Sequence, residues 1–224
     1  MKKLQVEVPE SLADIKLHQY QELVLMGSNA SEEELVSIML ELDRKAVRRL
    51  SNGVMSQLVD HVNKLVTTSN KELVKTFKIG KTKFGFEPNL DEADWGVIID
   101  TETYLGDWEN MHYALAALYR PVVAEDHKGR YKLEPYEAKK EYAEMMRFCP
   151  MNVVQGVQVF FCNLLTDLGT ALLNYMENPE MIQQLVQHSS KGGDDIIKSL
   201  QSLRDLTSEL TKQQKYLLGK HSLT

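Results

Sequence analysis

The chain has 224 residues, with 26 Lys and Arg against 32 Asp and Glu, a net charge of −6 and a pI near 5.6. That length leaves room for one or two domains with a genuine core, and 43% hydrophobic with 26% charged residues is the composition of a soluble globular chain. No window approaches ~18 consecutive apolar residues, which on that criterion excludes a membrane span. The start MKKLQVEVPESL has no apolar h-region and is not a secretory signal. Cys149 and Cys162 are too few for a disulfide framework or a zinc site, and they point to a reducing cytoplasm or a particle assembled in one.

Leu4, Val6 and Val8 alternate with polar residues and predict a short strand ending at Pro9. Residues 17–26 predict a helix stopped by Gly27. Ser31 and Glu34 form a capping box ahead of Leu35, Ile38, Met39 and Leu42. A further helix is predicted over 54–66, with Leu58, Val62 and Leu65 on one face. Residues 74–79 and 82–86 alternate on either side of Gly80-Lys81 and predict a β-hairpin with one buried face. Residues 94–118 read as two helices broken near Gly106-Asp107, the second carrying Trp108, Met111, His112, Leu115 and Leu118 and ended by Pro121. Residues 127–130 predict a turn, 131–133 a short strand and 136–148 a helix.

After Pro150 comes the most apolar stretch, from Val153 to Leu173, predicted to be the central buried helix. A short helix, a glycine-rich linker at 189–193 and a last helix from about 194 follow. In that last helix Ile196, Leu203, Leu210 and Leu217 recur every seven residues, with Leu206 between, while Ser199 and Gln213 break the pattern. The helix therefore reads either as amphipathic and docked on its own domain, or as an arm for a neighbouring subunit. The fold class expected is α+β and predominantly helical, a helical bundle around a central apolar helix with a small β-hairpin and a C-terminal helical arm. Its parts would be residues 1–70, 71–188 and 194–224.

Charge is segregated along the chain. Ten basic residues between 44 and 83, including Lys75, Lys78, Lys81 and Lys83, meet only Asp60 and Glu72. Eight acidic residues between 87 and 109, including Asp91, Glu92 and Asp94, meet no Lys or Arg. Such a dipole favours head-to-tail contact between copies, although charge runs are commonly just solvated surface. Specific nucleic-acid binding is not expected, because the chain is acidic overall and Phe77 is the only aromatic in the basic stretch.

Enzyme motifs fail one after another. Gly80-Lys81-Thr82 resembles the end of a phosphate loop, but the glycine required five residues earlier is Lys75. H-E-x-x-H, G-x-S-x-G and C-x-x-C are absent, and the six histidines are scattered. Val97-Ile98-Ile99-Asp100-Thr101-Glu102 resembles the first motif of the DEDD-type 3'–5' exonucleases, in which an apolar strand ends in two metal-binding carboxylates. Asp167 can stand for the second motif, but His188 and Asp194 miss the spacing of the third. No catalytic residue, metal or cofactor is expected.

Two stretches carry a wider resemblance. VPESLADIKLHQYQEL (8–23) matches an entry of the form P-x-S-L-x-x-I-x-L-x-Q-Y. FGFEPNLDEADWGVIIDTETYLGDWENMHYALAALYRPV (84–122) matches F-x-P-x-L, D-x-x-x-Y and W-x-x-x-H-x-A-x-A-x-L-Y-R-P patterns through Trp108, His112, Tyr119, Arg120 and Pro121, and Phe160, Phe161, Asn163 and Leu164 follow on the apolar helix. In these features the chain resembles a family encoded in tailed-bacteriophage structural gene clusters. The resemblance implies a virion component of the neck or tail, a head–tail connector or ring part, with an assembly chaperone as the alternative. Its partners would be further copies of itself and portal, neck or tail proteins, without a membrane. Arg120 is expected to complement a helix C-terminus and to pair with Asp100 or Glu102.

Overall fold

The computed structural model describes residues 6–27, 30–68, 70, 72–176, 178 and 193–217, the last of these by backbone alone at 193–197, 199 and 214–217. Leu4 of the expected first strand, the expected helix near 180–188 and the linker lie outside the described residues. The fold is α+β and predominantly helical. Its residues cluster into two compact units, one built from Met1–Thr68 and Leu73–Gln155, the other from Ser69–Glu72 and Gly156–Thr224.

The first unit opens without the predicted strand. Residues 6–10 pair with no other strand, and the segment is held instead by His61, whose Nε2 donates to the Pro9 carbonyl at 2.7 Å. Helix α1 (Leu17–Met26) ends at Gly27, as predicted. Two buried glutamines on α1 tie it to its surroundings. Gln19 donates to the Ile38 and Met39 carbonyls at the end of α2 (Glu32–Met39), and Gln21 donates to the Trp108 and Glu109 carbonyls. Both place their amide donors on backbone carbonyls, those of Gln19 at a helix end, where acceptors lack partners within the helix.

The Ser31–Glu34 capping box forms in full. A short α3 (Arg44–Val47) and α4 (Asn52–Val66) close a cluster around Val36, Leu40 and Val47. The Arg44–Glu34 and Arg48–Glu33 pairs over this cluster are solvent-facing and contribute little.

The predicted hairpin forms as β1 (Thr76–Ile79) and β2 (Thr82–Phe86), with Gly80 at φ 57° in the turn. It is half of a four-stranded antiparallel sheet of order β1-β2-β3-β4. Strand β3 (Tyr119–Glu125) was not expected. Helices α5 (Trp95–Tyr104) and α6 (Met111–Leu118) form as predicted, but α6 stops at Leu118, three residues before Pro121. Tyr119-Arg120-Pro121 is therefore a strand start, not a helix end. Pro121 is tolerated there because the ladder to β2 ends at its pair with Phe84. Strand β4 (Tyr131–Leu133) follows the predicted turn, and α7 (Lys140–Met146) is shorter than expected because 134–139 is irregular, with Ala138 at φ 48°.

One sheet face carries Phe77, Phe84, Phe86 and Tyr119, which meet edge-on or stacked at centroid distances of 5.0–5.8 Å. The Tyr119 hydroxyl donates to the Val74 carbonyl at 2.6 Å. Helix α6 is the most enclosed helix of this unit, with Met111, Ala114, Leu115 and Leu118 all buried. It takes the central place that the apolar stretch after Pro150 was expected to take.

That stretch is α8 (Met151–Met176). Its first turn belongs to the first unit, where the Met151 N–H donates to the Ile15 carbonyl. The remainder lies in the second unit with α9 (Gly193–Leu217), which runs back along it. The contact is made by small residues. A Cβ at Gly169 would sit 2.7 Å from the Thr207 Oγ1, and the Cys162 Sγ lies 3.6 Å from the Leu210 carbonyl oxygen. Buried Thr166 and Thr207 satisfy their hydroxyls on the carbonyls four residues back. The C-terminal helix thus packs on its own chain through Leu200 and Thr207, while Leu206 faces outward.

Candidate interaction surfaces

Three surface features stand out among the described residues: a cleft, a hairpin tip and an apolar stripe. The cleft lies at one end of the sheet in the first unit. It encloses about 290 Å³ and is walled by Tyr104, Tyr113, Tyr136 and Tyr142 over a floor of alanines. Arg120 forms its inner wall. The Arg120 guanidinium is buried, donates to the Glu87 carboxylate and to the Glu134 carbonyl, and lies 3.9 Å from Asp94. It pairs with neither Asp100 nor Glu102, because it leaves from a strand that faces Glu87. Lys139 bridges Glu134 and Glu137, whose carboxylates hold its ammonium above the usual lysine range.

Asp100, on α5, accepts a hydrogen bond from the Tyr136 hydroxyl on one carboxylate oxygen. Burial, with the Asp100 carboxylate next, raises the Tyr136 phenol, so Tyr136 stays a donor. Among the described residues no cation lies within 4 Å of Asp100. Residues 95–104 are helical, as predicted, so the apolar strand that the exonuclease motif needs before Asp100 and Glu102 is absent. Among the described residues no group of three or more His, Cys, Asp or Glu is placed to hold a metal ion.

The hairpin tip lies at the opposite end of the same sheet. Lys83 pairs with Glu125 on β3, and Arg130 pairs with Asp126. Lys75, Lys78 and Lys81 are exposed, and among the described residues none has a carboxylate within 4 Å. Lys78 stands on edge strand β1 directly opposite Lys83, an unfavourable like-charge pair that also discourages strand addition.

The stripe lies on α8 in the second unit. Leu164, Leu165, Leu168, Leu172 and Tyr175 are exposed, Leu168 by 62%. At 3.6 residues per turn they share an arc of about 100°. The buried contact to α9, through Cys162, Thr166 and Gly169, lies on another face. By length and composition α8 is apolar enough to cross a membrane, with a mean hydropathy of 1.4 in its best window, of which 28% is buried. The run-length criterion applied to the sequence did not register this. Asn163, Asp167 and Asn174 break the apolar run within the continuous helix.

The remaining predicted positions are distributed as follows. Asp91 and Glu92 are exposed on a single 3-10 turn before α5. Trp108 sits in a turn, not on a helix, and packs against Tyr20 at 4.7 Å. His112 is buried, and burial together with Arg147 depresses its imidazole below the ordinary histidine range. Leu203 and Leu210 are half-buried, and the Leu217 side chain lies outside the described residues. The sequence shows Tyr104 only within the D-x-x-x-Y pattern, Glu87 only within the acidic run and the stripe leucines only within the apolar stretch, and it gives no signal that joins the cleft tyrosines to one another. The tyrosines are scattered over 104–142 and only tertiary packing gathers them. The leucines were visible as an apolar excess and were assigned to the interior.

No family model, no curated protein and no solved structure matches this chain.

Proposed function

We propose that the chain is a structural or morphogenesis component of a tailed-bacteriophage particle, of the neck or tail. It acts by self-association and by contacts with neighbouring particle proteins. The observation that carries the self-association is the α8 stripe: five large apolar side chains, all exposed, on one arc of a helix whose other face is already covered. Contiguous apolar patches of this kind mark contact surfaces in proteins that live in water. Burying a leucine contributes ~1.5–3 kcal/mol. Self-burial of the stripe therefore supplies ample driving force. The assignment to a phage particle rests on the sequence resemblance around residues 8–23 and 84–122.

Two measurements test the two parts. In light scattering the wild-type chain is expected as an oligomer. Leu168→Glu with Leu172→Glu is expected to give a monomer of unchanged helical circular dichroism, because both positions already face solvent in the single chain. A monomeric wild type, or one that floats with phospholipid vesicles instead of self-associating, overturns the self-association. Quantitative mass spectrometry of gradient-purified particles from the source phage tests the location. Several copies per particle are expected. Abundance in infected cells with absence from particles means an assembly chaperone instead.

A further inference from the structure

We infer that the hairpin tip of one copy docks in the tyrosine cleft of the next, with the Lys81 ammonium against the free oxygen of Asp100. This rests on the self-association proposed above and adds a specific second contact to it.

The argument starts from register. Phe86 pairs with Tyr119 and Gly85 with Arg120, so the cleft side of the sheet is where β2 ends and β3 begins. Ile79 pairs with Thr82, so Gly80 and Lys81 lie at the other end of β2. Four residues of strand, roughly 13 Å at ~3.3 Å per residue, separate Lys81 from the Gly85–Arg120 pair. A tip and a cleft at opposite ends of one rigid sheet cannot meet within a chain. They meet between copies, and the contact is head-to-tail, the kind that closes into a ring or runs into a filament.

Charge then selects the pairing. Around the cleft Glu87, Asp94, Asp100, Glu134 and Glu137 outnumber Arg120 and Lys139, five to two. Arg120 and Lys139 are each already engaged by carboxylates, and among the described residues Asp100 has no cation within 4 Å. On the hairpin Lys83 is paired with Glu125, whereas Lys81 and Lys78 have no carboxylate within 4 Å among the described residues. Tyrosine faces attract a cation as it loses water. Here Tyr104 and Tyr113 stand 5.2 Å apart beside Asp100, and the Tyr136 hydroxyl holds the carboxylate in place. A lysine on a narrow two-residue turn is a shape that a cleft of about 290 Å³ admits.

The test is a double-mutant cycle on the full chain. Lys81→Ala and Asp100→Asn are each expected to weaken association in sedimentation equilibrium by about tenfold, and the double variant by about tenfold rather than a hundredfold. Asp100→Asn keeps an acceptor for Tyr136, so the cleft survives. A parallel experiment joins the two ends. Lys81→Cys with Glu137→Cys in one chain is expected to give a ladder of disulfide-linked oligomers under mild oxidation. Each single variant is expected to stop at dimers, because the native cysteines are buried. Wild-type-like association of either charge variant, losses that multiply, or a double-cysteine chain without a ladder overturns the docking. If that happens while Leu168→Glu with Leu172→Glu still dissociates the oligomer, self-association stands and only the docking falls. A wild-type chain that never associates overturns both.

Discussion

Arg120→Met is expected to destabilise the first unit by about 3–5 kcal/mol, the cost of stranding one member of a buried ion pair. The side chains of Arg120 and Glu87 are 10% and 9% exposed, so water cannot take over the bond that is lost. The substitution also frees the Glu134 carbonyl, which Arg120 holds at 3.0 Å. Glu87→Gln is expected to cost less, because an amide is cheaper to bury than a lone carboxylate. Replacing both members, Arg120→Met with Glu87→Leu, is expected to recover much of the loss, since two apolar side chains need no partners. Both tryptophans, Trp95 and Trp108, belong to the first unit, so their fluorescence in a denaturant titration reads this unit alone. A loss below 1 kcal/mol for Arg120→Met would show that the pair is not buried as described.

Tyr119→Ala is expected to cost a further large amount, about 3–5 kcal/mol, by opening a cavity where the two parts of the sheet meet. Tyr119 is fully buried, meets Phe77 and Phe86 edge-on, and ends the α6-to-β3 junction. Tyr119→Phe keeps the ring and removes only the hydrogen bond to the Val74 carbonyl, so about 1 kcal/mol is expected. The difference between the two variants separates ring packing from hydrogen bonding. Burial raises the Tyr119 phenol far above the ordinary tyrosine range, so the hydroxyl remains a donor at any working pH. Equal losses for the two variants would place the whole effect in the hydrogen bond. Tyr119 and Arg120 are neighbours in one strand, so their effects are not expected to add.

Local signals in the sequence were read correctly wherever the backbone itself sets the outcome. The Ser31–Glu34 capping box, the stop at Gly27, the turn at Gly80 and the break near Gly106 all stand in the structure. What was missed depends on partners distant in sequence. Tyr119-Arg120-Pro121-Val122-Val123 has strand composition, but it follows a strongly apolar helix, and Pro121 was taken as its terminator. The deciding fact is the vacant edge of β2, which no local window contains. The strand expected over 4–8 meets the converse situation: its described part, 6–8, alternates but pairs with no strand edge. The apolar excess of α8 was legible, yet sequence alone does not tell an interior helix from one with an exposed apolar stripe. The cleft was the least legible feature, since its tyrosines are joined only by tertiary packing.

The two cysteines offer a consequence of a different kind. Cys149 lies in the first unit and Cys162 in the second, and burial raises both thiols above the ordinary cysteine range. A thiol kept protonated and enclosed reacts only when its surroundings open. Each unit therefore carries one internal clock. The labelling rate of each cysteine by a thiol reagent, followed by peptide mass, ranks how often each unit exposes its interior, with no engineered site and on the native chain.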